Sequence, residues 1–163
     1  MKLRSLALLS ALLLAACETP PSDGTDGFGG AGGAGGYGSG ASTGPGTQGD
    51  LEQNVGDRVF FGYDSATLSS SAQATLQRQA DWLKEYGNLN VVIEGHADER
   101  GTRAYNLALG ERRANAARNY LVNLGVSSSR VTVVSYGKER PAVLGSNEQA
   151  WAQNRRAVTV ISY

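Results

Sequence analysis

Residues 93–114 read IEGHADERGTRAYNLALGERRA, and this stretch indicates both a class of fold and the place of a site. A mostly apolar run ends at Gly95 and a helical pattern begins at Arg103, so residues 96–102 form a strand-to-helix loop. Ligand-binding groups concentrate on such loops, because the scaffold positions them while leaving them in contact with solvent. The polar side chains of this loop are therefore the first candidates for function.

The helix that follows is predicted to run from Arg103 to Leu124 and to end before Gly125. Since successive helical residues advance by about 100°, one set of side chains shares a face toward the core: Leu107, Ala114, Ala117, Leu121 and Leu124. A second set lies along one flank of that face: Asn106, Leu109, Gly110 and Arg113. Arg113 is thereby expected near the start of the helix, on the side where the loop folds over it.

This arrangement directs a carboxylate, Asp98, and a guanidinium, Arg113, toward one cleft, with Asn106 between them. Such a pair suits a zwitterionic ligand: Asp98 binds an ammonium group, and the planar fork of Arg113 binds a carboxylate through two parallel hydrogen bonds. The alternative is that Asp98 and Arg113 form an ordinary ion pair with each other. The spacing alone leaves both interpretations open.

Outward from this stretch, the sequence predicts three further strands, at residues 58–63, 130–136 and 156–162, beside the one at 89–94. Capping boxes predict helix starts at Ser70 and Ser146, with the first helix ending near Gly87 and the second running through Trp151. The fold class is α+β. The order β-α-β-α-β-(α)-β predicts a four-stranded mixed sheet covered by helices on one face.

The N-terminus, MKLRSLALLSALLLAAC, carries an early positive charge and an apolar stretch of 11 residues. A transmembrane helix needs about 20 residues, so residues 1–16 are predicted to be a signal peptide. Cys17 lies where a small-residue cleavage site belongs, which resembles a bacterial lipoprotein signal with a lipidated cysteine. The alternative is an ordinary secretory signal followed by an incidental cysteine.

Residues 17–53 are rich in Gly, Ser, Thr and Pro and poor in apolar side chains. Such a segment cannot bury enough apolar surface to offset the entropy of ordering, so it is predicted to be a disordered tether. The globular domain is predicted at residues 54–163. The tether would let this domain move within a fixed distance of a membrane.

Composition argues against several functions. The 15 basic and 15 acidic residues cancel, whereas a nucleic-acid-binding protein needs excess positive charge. The single cysteine excludes an internal disulfide, and the single histidine, His96, makes a catalytic zinc site improbable. We expect no metal or cofactor, and we expect His96 to position its loop through hydrogen bonds. Arg155 and Arg156 are expected to be solvated, and Trp82 and Trp151 to be packing residues.

The segment GHADERGTRAYNLALGERRANAARNYL, preceded by VFFGYDS and followed by VSYGKERP and WAQNRRAV, resembles the OmpA-like domain family. Within that family it is similar to the peptidoglycan-associated lipoproteins of the Tol-Pal system. The resemblance covers residues 59–160, and several separate motifs keep their order and spacing. It implies noncovalent binding of peptidoglycan through the diaminopimelate residue of the stem peptide.

The resemblance also assigns roles to individual residues. It implies that Asp98 and Arg113 hold the charged groups of diaminopimelate and that Leu109 forms an apolar wall. The complete set of ligand-binding residues that it implies is Asp64, Asp98, Gly101, Thr102, Asn106, Leu109 and Arg113. The chain departs from the family pattern at Ala97, where threonine is commoner, and at Gly62, where many members have aspartate.

Further expectations follow from this resemblance alone. It implies TolB and other Tol-Pal components as protein partners, a lipid anchor in the outer membrane, a domain in the periplasm, and a role in envelope constriction during cell division. Two other functions compete with it. One is a peptidoglycan-cleaving enzyme that uses the same cleft, and the other is a structural envelope protein without a ligand.

Overall fold

A computed structural model describes residues 44–162 of the chain. The predicted signal peptide, Cys17 and most of the predicted tether lie outside the described residues. The helices are α1 (Gln48–Asp50), α2 (Ser70–Glu85), α3 (Arg103–Asn123) and α4 (Glu148–Asn154), with a π-helical turn at Leu51–Val55 and a 3-10 turn at Ser128–Arg130. The strands are β1 (Arg58–Phe60), β2 (Asn90–His96), β3 (Val131–Gly137) and β4 (Arg156–Ser162).

The four strands form one mixed sheet in the order β1-β4-β2-β3. Strand β4 pairs antiparallel with both β1 and β2, whereas β2 and β3 run parallel and are connected through α3. The predicted fold class and strand order along the chain are thus confirmed. The parallel pair places the carboxyl ends of β2 and β3 at the same edge of the sheet, beside the start of α3.

One face of the sheet is buried and the other is only partly covered. Val91 and Ile93 of β2 and Ala157 and Ile161 of β4 point into the core, while the alternating residues of both strands are half-buried. Helices α2 and α3 contact each other and the sheet, and their apolar stripes complete the core. Within residues 44–162, no helix is both long enough and apolar enough to cross a membrane.

Residues 44–53, which the sequence assigned to the tether, are described by the structure and include a short helix that packs against the domain. Leu51 is fully buried in the core. Asp50 accepts a 2.8 Å hydrogen bond from the indole N–H of Trp82, and the Gln48 side chain accepts a 2.9 Å bond from the main chain of Ile161. The sequence concealed this segment because a single leucine among polar residues shows no periodicity.

Other boundaries differ by a few residues. Strand β1 ends at Phe60, and the chain turns at Tyr63 and Asp64. Leu107 was assigned to the core, but 46% of it is exposed. It borders a groove beside β3, which is an edge strand of the sheet, and among the described residues no strand lies beyond β3 to cover it.

Candidate functional site

Two glycines allow α3 to lie against the end of β2. A Cβ atom built on Gly95 would overlap the main-chain carbonyl of Gly110, and one on Gly110 would collide with the hydroxyl of Ser135. Backbone therefore packs directly on backbone at this point. The close approach brings the side chains of the first turns of α3 to the loop that follows β2.

A pocket of about 180 Å³ opens at this position. It lies between the loop after β1, the loop after β2 and the first three turns of α3. Its charged lining residues comprise two carboxylates and two guanidinium groups, so the lining has no net charge. The residues that line it are Tyr63, Asp64, Asp98, Arg100, Gly101, Tyr105, Asn106, Leu109 and Arg113.

Six of the seven predicted site residues lie in this lining, and Thr102 is the exception. The hydroxyl of Thr102 accepts a hydrogen bond from the main-chain N–H of Tyr105, which caps the start of α3. The side-chain amide of Asn106 donates a 2.9 Å bond to the carbonyl of Arg100 and so holds the loop. Whether the six bind a ligand stays a prediction.

Arg113 is fully buried, and its guanidinium is fixed by main-chain carbonyls. It donates hydrogen bonds of 2.8, 2.8 and 3.0 Å to the carbonyls of Ser65, His96 and Gly62. Burial lowers its pKa to about 10, against the opposing effect of nearby Asp98, so it stays protonated at neutral pH. The three bonds use three of its five N–H groups, which leaves two for a guest.

Asp98 does not pair with Arg113, so the ordinary ion pair left open by the spacing is not formed. Its carboxylate accepts hydrogen bonds from the main chain and the guanidinium of Arg100, and it lies 3.5 Å from the guanidinium of Arg155. Burial raises the pKa of Asp98, but the bonds from Arg100 and Arg155 outweigh it and lower the pKa below its usual value. Asp98 is thus ionised, and the guanidinium groups of Arg100 and Arg155 already balance its negative charge.

Arg100 crosses the pocket between two aromatic rings, an arrangement that the sequence reasoning missed. Its guanidinium carbon lies 4.2 Å from the ring centre of Tyr63 and 4.0 Å from that of Trp151. The indole N–H of Trp151 donates a 2.9 Å hydrogen bond to Glu99. The spacing of Arg100 two residues after Asp98 was the available signal, because a loop residue at that distance can fold back onto the carboxylate.

Asp64 stands at the rim in an uncommon backbone conformation. Its φ of +50° lies in the left-handed region, where residues other than glycine are uncommon. Its carboxylate accepts a hydrogen bond from the hydroxyl of Tyr105, and this bond raises the pKa of that hydroxyl. The pairing ties the loop after β1 to α3 across the mouth of the pocket.

His96 lies beneath the pocket, and the prediction that its side chain holds the loop by hydrogen bonds is wrong. Its ring is buried, and neither nitrogen has a hydrogen-bond partner among residues 44–162. Its main-chain carbonyl accepts a hydrogen bond from Arg113, and this bond holds the loop in place instead. Burial, together with the positive charges of Arg156 and Arg140, lowers the pKa of His96 to about 4.

Arg155 and Arg156 were expected to be solvated, but both are 7% exposed. Arg155 contacts Asp98 and donates to the carbonyl of Phe61 and to the carboxylate of Glu148. Trp82 is a packing residue, as predicted, whereas Trp151 is half-buried beside Arg100. Arginine ordinarily lies in contact with solvent, so the sequence did not indicate that Arg155 and Arg156 are buried.

Comparisons with known proteins agree with this architecture. Residues 60–155 match the OmpA family. A protein of Rhizobium meliloti named peptidoglycan-associated lipoprotein is 52% identical over 159 residues, which cover 96% of this chain and 85% of that protein. A protein of the same name from Pseudomonas aeruginosa is 44% identical over 159 residues, which cover 95% and 93%.

A solved structure of a relative has a similar fold. The crystal structure of the peptidoglycan-associated lipoprotein from Burkholderia pseudomallei superposes with a TM-score of 0.63 at 46% sequence identity. The match covers 65% of this chain and 90% of that one. The overlap therefore includes nearly all of that chain.

Proposed function

Because the chain belongs to the OmpA family, we propose that its folded domain binds peptidoglycan noncovalently, through the diaminopimelate residue of the stem peptide. Its relatives are named peptidoglycan-associated lipoproteins. One observation carries the proposal: Asp98 and Arg113 line the same pocket without pairing with each other. A lining with two charges of each sign is complementary to a zwitterion.

The lining suggests how each part of the guest is held. The two remaining N–H groups of Arg113 bind the terminal carboxylate, for which the planar guanidinium is well shaped. Asp98 and the exposed Asp64 attract the ammonium group. Leu109, which is 5% exposed, contacts the methylene chain that joins this charged end to the rest of the stem peptide. Recognition then depends on both charged groups of the guest, and no bond of the guest is broken.

Sedimentation with isolated peptidoglycan sacculi tests the proposal. The mature chain carrying Cys17→Ser, and therefore unlipidated, is expected to sediment with sacculi, and free diaminopimelate is expected to release it. Asp98→Asn should weaken binding about ten-fold or more, since it removes the charge that faces the ammonium. The matched control is Asp81→Asn, an exposed aspartate on α2 that lies outside the pocket.

The same assay separates binding from cleavage. A binding protein sediments and releases no soluble fragments from labelled sacculi, whereas a peptidoglycan-cleaving enzyme releases them. Normal sedimentation of Asp98→Asn would show that the site is elsewhere. Failure of the unsubstituted chain to sediment would overturn the proposal itself.

We further propose that Cys17 is lipidated and anchors the chain in the outer membrane, with the domain in the periplasm. The signal MKLRSLALLSALLLAAC supports this. The structure describes the domain from Gly44 onward, and residues 18–43 separate Gly44 from Cys17 along the chain. By covalent geometry this segment reaches at most about 90 Å. Labelling with a radioactive fatty acid, abolished by Cys17→Ser, tests the anchor.

Membership of the Tol-Pal system, with TolB as a partner and a role in envelope constriction, belongs to the same proposal. It is supported by the resemblance to Tol-Pal lipoproteins and by the names of the relatives. Co-purification of TolB with the chain from detergent-solubilised envelopes is the expected result. Loss of the gene should delay outer-membrane constriction at division, which microscopy measures.

A further inference from the structure

The carboxylate of Asp98 has no acceptor position left for a guest. An ionised carboxylate offers about four lone-pair positions. One oxygen accepts from the main-chain N–H and from Nε of Arg100, at 3.1 and 3.2 Å. The other accepts from Nη2 of Arg100 at 2.5 Å and from Nη1 of Arg155 at 3.5 Å. An ammonium group can therefore bind Asp98 only after one of these donors has left.

Arg100 is the donor that is free to leave. The side chain of Arg155 is 8% exposed and is also bonded to the carbonyl of Phe61 and to Glu148. The side chain of Arg100 is 30% exposed, and its remaining side-chain contacts are the faces of Tyr63 and Trp151 at the mouth of the pocket. Such stacking contributes little at exposed sites, so moving Arg100 costs less than moving Arg155.

Building on the proposed function, we propose that Arg100 is a specificity-determining residue that competes with the ammonium group of the guest for Asp98. It occupies the carboxylate until a cation from the guest replaces it. A guest that carries only a carboxylate gains nothing from Asp98. A guest that carries only an ammonium must displace Arg100 without the compensating contact to Arg113. The pocket therefore selects guests that carry both groups on one end.

A displaced Arg100 has a nearby place to go. The carboxylate of Glu148, whose side chain is 66% exposed and already bonds Arg155, is close enough to help raise the pKa of Arg100. Rotation toward Glu148 would keep a charge partner for Arg100. It would also remove the cation from the face of Trp151, which makes the emission of this tryptophan a reporter of the exchange.

Three stem tripeptides test the competition when titrated calorimetrically into the unlipidated mature chain. One ends in diaminopimelate. The second ends in lysine, whose side chain lacks the distal carboxylate, and the third ends in 2-aminopimelate, whose side chain lacks the distal ammonium group. Arg100→Ala should bind the first two about five-fold more tightly than the unsubstituted chain, because their ammonium no longer competes for Asp98. Its binding of the aminopimelate peptide should be unchanged.

Two further variants serve as controls for this titration. Arg100→Gln removes the charge while keeping a long polar side chain, and it should show the same pattern if Arg100→Ala folds poorly. Arg103→Ala removes an arginine that is 79% exposed and outside the pocket lining, so it should leave all three affinities unchanged. In the unsubstituted chain, the diaminopimelate peptide should shift tryptophan emission and the aminopimelate peptide should not.

The outcomes are distinct. Weaker binding of the diaminopimelate peptide by the Arg100 variants would make Arg100 a direct ligand contact and overturn the competition. Equal affinities in all variants, or an equal gain for the aminopimelate peptide, would overturn it as well. The proposed function is judged separately, on whether the unsubstituted chain binds the diaminopimelate peptide and sediments with sacculi.

Discussion

The guanidinium of Arg113, on α3, donates a 2.8 Å hydrogen bond to the main-chain carbonyl of His96, the last residue of β2. The same group also reaches the carbonyls of Gly62 and Ser65, in the loop that follows β1. One buried side chain thus connects two of the loops that form the pocket. The shape of the pocket and the stability of the domain consequently depend on the same residue.

Arg113→Met should lower the free energy of unfolding by about 3–5 kcal/mol, because three carbonyls in this region lose their donor. Urea denaturation followed by circular dichroism measures this. Arg103→Met, at an exposed position, is the control and should change stability by less than about 0.5 kcal/mol. Equal denaturation midpoints for the two variants would contradict the structural role of Arg113.

Gly95→Ala should destabilise the domain by about 2–3 kcal/mol or more, because its methyl group would overlap the backbone of α3. The shift of α3 should also weaken sedimentation with sacculi. Gly62→Ala is the matched control, since the nearest atom to its new Cβ lies 3.7 Å away. If Gly95→Ala melts at the temperature of the unsubstituted protein, the backbone of α3 does not pack directly against Gly95.

His96 predicts a dependence of stability on pH. Its pKa is about 4 in the folded protein and 6.5 ordinarily, so the unfolded state binds more protons between these values. The stability from neutral His96 is complete above pH 6.5 and declines as the pH falls toward 4. The total loss is about 3 kcal/mol. Denaturation at pH values from 4 to 7.5 measures it.

The variant His96→Leu isolates this effect, because it removes the only histidine of the chain. Its stability should change little between pH 6.5 and 4, where the unsubstituted protein loses most of the effect. Below pH 4 the two proteins should behave alike, because carboxylates with lowered pKa values, such as Asp98, then titrate in both. Parallel curves between pH 4 and 6.5 would refute the assignment to His96.

Leu51→Ala should cost about 2–5 kcal/mol, the usual range for truncating a fully buried leucine. Leu144→Ala, at a position that is 86% exposed, should be nearly neutral. A chain that begins at residue 54 should be less stable than one that begins at residue 44, which thermal melting measures. If the two chains melt together, residues 44–53 do not belong to the domain.

Much of the fold was predictable because the apolar residues repeat regularly. Leu76, Ala80 and Leu83 recur at helical spacing, and RAVTVIS in β4 alternates, so these elements were assigned correctly. Leu107 was misassigned because it lies at the border of the helical stripe. Its exposure depends on β3 being an edge strand, which is a property of the sheet and not of the helix.

The site was predictable in part. The loop after β2 and the start of α3 adjoin along the chain, so the shared location of Asp98 and Arg113 follows from local geometry. The partners of Asp98 do not follow, because Arg155 reaches it from 57 residues away. Likewise, the stacking of Arg100 on Trp151 requires α4 to lie beside the loop after β2, which no local pattern encodes.

The attachment of residues 44–55 has a mechanical consequence. If the chain is pulled from its N-terminal side, tension that reaches Gly44 acts first on the bonds from Gln48 to β4 and from Asp50 to Trp82. None of the residues that line the pocket belongs to this segment. Force along the chain can therefore detach the N-terminal turn from the domain before it deforms the pocket that binds the ligand.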